Sequence, residues 1–381
     1  MYSSVAAVLG ISIGVVAMSN VLLSWQWQQR QPNTASASSA LHREFASSMR
    51  QRSLEIPTEW PQPLQTSSYH PLSLSELVVD PTNASLATTC PDGLHWRRNR
   101  GPSSTTTTSQ SFSKIPHIVH QTAKSRCLSQ DVHDLTERWQ FDDWEYYLHD
   151  DAAVERLFAQ EAIHFPLLPV ISQHCLQHGT LKADLWRYLV LWVYGGIYAD
   201  LDTAPNAFTP QHTLNAETDD ALFVVEQYHM LSQYFMAVTP RHPLMWYAIQ
   251  RALQNLWDLP DTGKVSAAMA TGPHVLHAAY RDFRHDAGQN VDPAGVGYKP
   301  VWAGRFVGTA NYTVTVVGVG ENQNEYVHRD LLGMHKKHVA YKEMNMRHFQ
   351  QDKKFPTGRS CLSTILQDAS SNPPPRFNKG N

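Results

Sequence analysis

The chain has 381 residues, with 31 Lys plus Arg against 34 Asp plus Glu and a formal charge of −3. Near-neutrality excludes a nucleic-acid binder that works by neutralising phosphates, and it excludes an acidic disordered tail. Four cysteines are too few for a disulfide scaffold, while 42% hydrophobic residues can build a sizeable core.

Met1 to Gln29 carries no charged side chain, and Val5 to Trp25 is almost wholly apolar. That run is long enough to cross a bilayer, with Trp25 and Trp27 placed where interfacial aromatics belong. Residues 1–29 therefore read as a signal anchor spanning about 5–25. A cleaved signal peptide is the rival; the missing basic n-region and the length of the apolar run favour the anchor. Residues 30–113 are rich in Ser, Thr, Pro, Gln and Ala without sustained periodicity, which predicts a disordered stem, O-glycosylated or a plain linker. Two sequons, at Asn83 and Asn311, together with the anchor favour a lumenal or extracellular C-terminal part. A secretory route permits disulfides among Cys90, Cys127, Cys175 and Cys361, but spacing fixes no pairing.

Order begins at Ile115, where Ile115 to His120 reads as a short strand with Pro116 near its start. A short helix over Ser129 to Trp139 and an aromatic-rich strand over Trp144 to Leu148 follow. Asp150-Asp151 can cap a helix running to about Ile163. Next come a helix from Gly179 to Tyr194 and a strand from Ile197 to Ala199. Further strands are expected at Ala221–Glu226, Tyr234–Val238 and Thr313–Val319, and helices at Pro243–Trp257 and Pro273–Phe283. Alternation of strands and helices predicts an α/β domain over 114–349 with a mainly parallel sheet, followed by a flexible tail over 350–381.

The most informative stretch runs from Leu181 to Asp202. Asp184 and Arg187 are three apart and share a helix face. Gly195 is placed to stop the helix, and Gly196 lets the chain turn straight into a strand. That strand ends in Asp200-Leu201-Asp202, and alternation along it lets both carboxylates face one point, beyond the strand end where α/β sheets bind ligands. Two hard carboxylates suit Mg²⁺ or Mn²⁺ bridging a diphosphate. An isolated Asp-X-Asp is more often a solvated turn, and an isolated Asp184–Arg187 pair a surface ion pair; the helix, double glycine and strand are what raise the specificity.

This segment resembles the sugar-binding region of glycosyltransferase family 32, matching it at Asp184, Arg187, Tyr188, Gly195, Gly196, Tyr198, Asp200 and Asp202. The opening Ile115, Pro116, Ile118, His120 and Gln121, and the later Thr271-Gly272-Pro273, are similar to two further family elements. The resemblance covers about 115–345. It implies a GT-A fold, Rossmann-like, a nucleotide-sugar donor, a divalent metal (Mn²⁺ or Mg²⁺), retention of configuration and a type II membrane layout in the Golgi. By position it implies that Asp202 ligates the metal and Asp200 contacts metal or ribose. It further implies that Asp184 and Arg187 hold the donor sugar and its phosphate, with Tyr188, Thr271 and Gly272 at the donor. His120 and Gln121 are expected near the nucleotide, with a satisfied core pair as the alternative.

Family members often carry a late His-containing segment before Ser-Trp; this chain has Met334-His335-Lys336-Lys337-His338 and no Ser-Trp. His335 is the candidate third ligand, His338 the second choice, and Lys336 or Lys337 a candidate phosphate partner. Glu226 is placed to sit by the acceptor or the reacting carbon, or else to be a strand-end surface residue. The expected activity is transfer of a hexose, mannose from GDP-mannose first, to a glycan or glycolipid acceptor. A galactosyl- or N-acetylglucosaminyltransferase using a UDP-sugar is the alternative within the class. A non-catalytic carbohydrate binder on the same fold is the alternative outside it, and a metal-dependent phosphoesterase ranks last.

Overall fold

The structure is a computed structural model that describes residues 69–78, 90–102, 113–176, 179–226, 229–259, 264–289, 300–318, 331–335, 338–346 and 355–356. The expected anchor, Asn83, Lys336, Lys337 and nearly all of the 350–381 tail lie outside those residues. Among the described residues no helix is long and apolar enough to cross a membrane.

The elements in chain order begin with α1 (Leu74–Leu77), β1 (Leu94–Trp96), β2 (Ile118–Thr122), β3 (Cys127–Ser129), α2 (Gln130–Glu137) and β4 (Glu145–His149). Next are α3 (Asp151–Gln160), α4 (Leu168–His174), α5 (Gly179–Tyr194), β5 (Gly196–Ala199), β6 (Thr203–Pro205) and α6 (Pro210–Thr213). Then come β7 (Ala221–Val225), β8 (Leu231–Val238), α7 (Pro243–Trp257), β9 (Lys264–Val265), α8 (Ala267–Ala270) and α9 (Pro273–His285). The last are β10 (Gly304–Val307), β11 (Thr313–Val317), β12 (Leu332–Met334), α10 (His338–Glu343) and β13 (Phe355–Pro356).

Local chemistry explains the boundaries that matter. Asp150 caps α3 by accepting from the Ala153 amide at 2.9 Å, satisfying one of the orphan donors of the first turn. Pro243 and Pro273 open α7 and α9, where the missing N–H is harmless. Gly195 at φ +65° ends α5, and Gly196 follows at φ +92°. A Cβ on Gly196 would meet the Ile118 carbonyl oxygen at 2.5 Å, so only glycine lets β5 lie this close to β2.

Seven strands form the central sheet in the order β10-β11-β7-β8-β5-β2-β4. β11–β7, β5–β2 and β2–β4 pair in parallel, whereas β10–β11, β7–β8 and β8–β5 are antiparallel. The sheet is therefore mixed, which corrects the expectation of a mainly parallel one. The connection between β7 and β8 is too short for a crossover, so β8 must return antiparallel and wedge between β7 and β5.

One face of the sheet buries Val119, Tyr146, Leu148, Ile197, Leu222, Val224, Phe235 and Ala237 against Trp139, Phe208, Leu332 and Tyr341. Trp139 stacks on Phe235 with ring centroids 6.0 Å apart. On the other face lies α5, which is buried nearly all round. That explains why its sequence is apolar beyond a single stripe.

Two pieces of the 30–113 stretch belong to the folded unit, correcting the stem reading for those residues. In the first, residues 69–78, Arg156 Nε donates to the Leu77 carbonyl at 2.7 Å and Tyr194 Oη to the Leu72 carbonyl at 2.8 Å. Tyr69 Oη donates to the buried Glu161, and Arg241 packs over Trp192 at 3.7 Å. In the second, residues 90–102, Cys90 is disulfide-bonded to Cys127, β1 pairs with β3, and Arg100 bridges to Tyr146 of β4. Cys175 is disulfide-bonded as well.

Candidate active site

β2, β4, β5, β7 and β11 all end at the same edge of the sheet, and β8 begins there. This is the edge at which α/β sheets bind ligands. Asp200 to Asp202 emerge at it, but as a turn rather than a strand extension. β5 stops at Ala199, and the Thr203 amide closes the turn on the Asp200 carbonyl at 3.0 Å. Strand alternation thus does not orient the two carboxylates, as the sequence pattern had suggested; the turn and its neighbours do.

Those neighbours come from four elements. The Asp200 amide donates to the Tyr234 carbonyl of β8 at 2.9 Å, and the His335 amide donates to the Asp202 carbonyl at 2.7 Å. β12 pairs antiparallel with β6, which delivers His335 to the turn. The Tyr341 hydroxyl of α10 meets the Asp202 backbone, and burial together with the Asp202 and Asp200 charges pushes its pKa well up.

Arg187 is the hub. Its Nη2 reaches Asp184 Oδ1 at 3.0 Å and its Nη1 reaches Asp200 Oδ1 at 3.1 Å. Nη1 also donates to the Gln233 carbonyl at 2.9 Å, and the guanidinium lies 4.7 Å from the Tyr198 ring centroid. Burial opposes its charge, yet Asp200, Tyr198 and Asp184 together hold its pKa above the ordinary arginine value. At 6% exposure Arg187 faces these carboxylates rather than solvent. It is a clamp between α5 and the Asp200 turn.

Asp184 is held from its other side by the Thr271 hydroxyl, which donates to Oδ2 at 2.9 Å. Burial pushes Asp184 up to about 6, against the pull of Arg187 and Thr271. Tyr188 Oη lies 3.0 Å from the Thr271 carbonyl and 3.2 Å from that of Gly272, and Gln233 Nε2 donates to it at 2.7 Å. Gly272 itself is a packing glycine, since a Cβ there would meet Ala268 Cα at 2.6 Å. Thr271, Gly272 and Tyr188 therefore set Asp184 in place.

His120 and Gln121 are placed as a core pair. His120 Nε2 donates to the Gly195 carbonyl at 3.0 Å, and its Nδ1 lies 3.1 Å from His149 Nε2. Burial takes His120 down to about 4. Gln121 accepts from Tyr146 Oη at 2.8 Å and donates to the Asp200 carbonyl at 3.2 Å, so it supports the turn from below. Asn311 is exposed, at φ +62° in a tight turn. His338 opens α10.

Among the described residues no three His, Cys, Asp or Glu side chains converge tightly enough to hold a metal by themselves. One or two carboxylates completed by phosphate oxygens is, however, the ordinary way Mg²⁺ is held beside a nucleotide. The two Asp carboxylates of the turn fit that pattern, and the His335 Nε2, on the segment that bonds to the turn backbone, is buried without a hydrogen-bond partner among the described residues. Gln233, Tyr234 and Tyr341 contribute to the site without any motif to mark them, because only the antiparallel β8 and the returning C-terminal segment bring them to the turn.

A buried Asp–Arg–Asp bracket thus stands at the carboxyl edge of a mixed α/β sheet, where such sheets bind ligands. Residues 104–220 match the family described as "Glycosyltransferase sugar-binding region containing DXD motif". The chain is 27% identical over 193 residues to the initiation-specific alpha-1,6-mannosyltransferase of Schizosaccharomyces pombe, covering 44% of this chain and 48% of that protein. It is 28% identical over 148 residues to inositol phosphoceramide mannosyltransferase 1 of the same yeast, covering 36% and 42%. The chain thus spans about half the length of the curated relatives it matches. PaToxG glycosyltransferase aligns over 43% of this chain and 67% of its own at 16% identity, with a TM-score of 0.33, too low to bear on the fold.

Proposed function

We propose that the protein is a metal-dependent, retaining mannosyltransferase that moves mannose from GDP-mannose to a glycan or glycolipid acceptor. The observation that carries this reading is the Asp184–Arg187–Asp200 bracket leading into Asp202 at the sheet edge. The names of the two yeast relatives support mannose as the sugar.

Asp202, with Asp200 and His335 beside it, would hold Mn²⁺ or Mg²⁺, which supplies Lewis-acid stabilisation of charge on a departing diphosphate. Arg187 keeps Asp200 ionised and in register. Asp184, fixed by Thr271, presents its carboxyl to the sugar hydroxyls as an acceptor. Fixed dipoles and charges that need no rearrangement are the main source of catalysis in such a site. The charge-free run over residues 5–25 and the disulfides support a type II Golgi layout with a lumenal catalytic domain.

Asp202→Ala tests the reading. It should lower Mn²⁺-dependent transfer from GDP-mannose by more than 100-fold while the melting temperature stays within a few degrees. Undiminished transfer would overturn the metal role. A parallel binding screen with UDP-galactose and UDP-N-acetylglucosamine decides the donor: tighter binding of either would overturn mannose.

A further inference from the structure

A cleft of about 350 Å³ opens beside β4, the last strand of the sheet, between residues 96–100 and the end of α2. It shares no residue with the Asp184–Arg187–Asp200 bracket. The loop that forms it is held at both ends. The Arg97 amide donates to the Arg126 carbonyl at 2.8 Å, while Arg100 and Tyr146 exchange backbone hydrogen bonds at 2.9 and 2.8 Å. Between them, Asn99 Oδ1 accepts from the Leu148 amide at 2.8 Å. The Cys90–Cys127 disulfide ties down the preceding strand. A wall fixed this way needs little ordering when a ligand arrives.

The lining is rich in donors and poor in acceptors. Arg97, Arg98 and Arg100 stand against one carboxylate, Glu137, which is engaged by Arg97 Nη1. Arg97 Nη2 donates to the Thr136 carbonyl at 3.3 Å, and the guanidinium lies 4.5 Å from the Tyr146 ring centroid. At 2% exposure Arg97 is the floor of the cleft. Its Nε is nevertheless buried with no hydrogen-bond partner among the described residues, and so is Asn99 Nδ2. Buried donors of this kind are rare and cost stability until an acceptor meets them. Arg98 is exposed and Arg100 half-buried. Burial and the Arg97 charge lower the His133 pKa, so that ring adds no positive charge at neutral pH. Two guanidinium charges therefore remain with no carboxylate in the lining to offset them.

We propose that this cleft is a binding site for a phosphate ester carried on a sugar or polyol. Arg98 and Arg100 hold the phosphate, since planar guanidinium forks match its oxygens, and Arg97 Nε and Asn99 Nδ2 are donors for the oxygens that reach the floor. The half-buried Trp96 gives an apolar wall for ring carbons. The volume suits a phosphorylated ring rather than a bare phosphate ion. Two sources carry this chemistry, a phosphorylated glycan and a phospholipid headgroup. The site stands whether or not the bracket transfers sugar, because no bond is made or broken in it. It lies behind the Asp200 turn: Tyr146, under Arg97, donates to Gln121, which donates to the Asp200 carbonyl.

The test is calorimetric titration of the full-length chain with glucose 6-phosphate, with glucose as the neutral control and EDTA present to keep metal from the Asp200 turn. Dihexanoyl phosphatidylinositol, with dihexanoylglycerol as its neutral control, is the lipid arm. Expected is binding of at least one ester and of neither neutral control. The Arg98→Ala/Arg100→Ala double variant should weaken it by about tenfold or more, and Arg98→Lys by less. The double variant keeps Arg97 and the backbone pairing of Arg100, so its fold should survive. Should it fail to fold, Arg98→Glu, at an exposed position, should show the same tenfold loss. Tighter binding of glucose 6-phosphate supports a phosphorylated glycan as the ligand, and tighter binding of the lipid supports a headgroup. A folded wild type that binds neither ester, or that binds the neutral controls equally well, would overturn the site. Affinity unchanged in the folded variants would place the ester elsewhere and overturn it too.

Discussion

Arg187 Nη1 reaches Asp200 Oδ1 at 3.1 Å while sharing the same nitrogen with the Gln233 carbonyl. One guanidinium thereby ties the long buried helix to the Asp200–Asp202 turn and to the antiparallel strand at the centre of the sheet. The bidentate reach needs the planar fork of arginine; a lysine ammonium can satisfy only one partner at a time.

Arg187→Ala should therefore cost stability as well as activity. Asp184 is left buried with only Thr271 for a partner, and breaking a buried pair typically costs about 3–5 kcal/mol. Urea unfolding of the variant checks this. Arg187→Lys should fall between wild type and Ala. A fully stable Ala variant would mean that Arg187 does not clamp the bracket.

Thr271→Val isolates the other support of Asp184. It removes the 2.9 Å hydrogen bond while keeping the shape. The loss should be about 1–3 kcal/mol, because a charged acceptor is left unsatisfied. Donor affinity should weaken together with stability. The two effects are read by chemical denaturation and by calorimetric titration of the nucleotide sugar.

Gly196→Ala should be among the most damaging single substitutions outside the site. Its φ of +92° is unfavourable for any L side chain, and the new methyl would press on the Ile118 carbonyl at 2.5 Å. Separating β5 from β2 by a few tenths of an ångström would shift Asp200 too. The expected readout is a drop in melting temperature of roughly 10 °C or more, or failure to express folded protein.

The pH dependence of stability is a contest between opposite signs. His120 and His242 are held down to about 4 by burial, so the unfolded chain takes up protons that the folded chain refuses. Their contribution is lost as pH falls from about 6.5 towards 4. Asp184 and Glu226 are raised to about 6 and about 7, so the folded chain keeps protons that the unfolded chain has released. Their contribution is gained as pH falls from about 7 towards their ordinary range. Glu226→Gln removes part of that compensation. Its unfolding free energy should exceed that of wild type at pH 8, by up to about 3 kcal/mol, and its melting temperature should fall more steeply towards pH 4.5. Superimposable melting curves across that range would mean that Glu226 titrates normally in the fold.

The helix of Leu181 to Tyr194, its glycine stop and the carboxylates beyond were legible because each is encoded within a few neighbouring residues. So were the helices opened by Pro243 and Pro273. The direction of β8 was not, since it depends on which strand β8 meets rather than on its own apolar run. Nor was the clamp role of Arg187: the spacing of Asp184 and Arg187 announces an ion pair but not its third member, which lies across a turn and a strand. Residues 69–78 escaped for the same reason. Their polar composition reads as unstructured, and their partners stand far along the chain; Tyr194 is 122 residues from Leu72.

That distant tether bears on how the protein should be handled. A fragment begun near Ile115, where periodicity first appears, would leave Cys127 an unpaired thiol, expose the Arg100-covered margin of β4 and strip Tyr69 from Glu161. The shortest piece expected to behave as the whole starts ahead of Tyr69 and is folded under oxidising conditions.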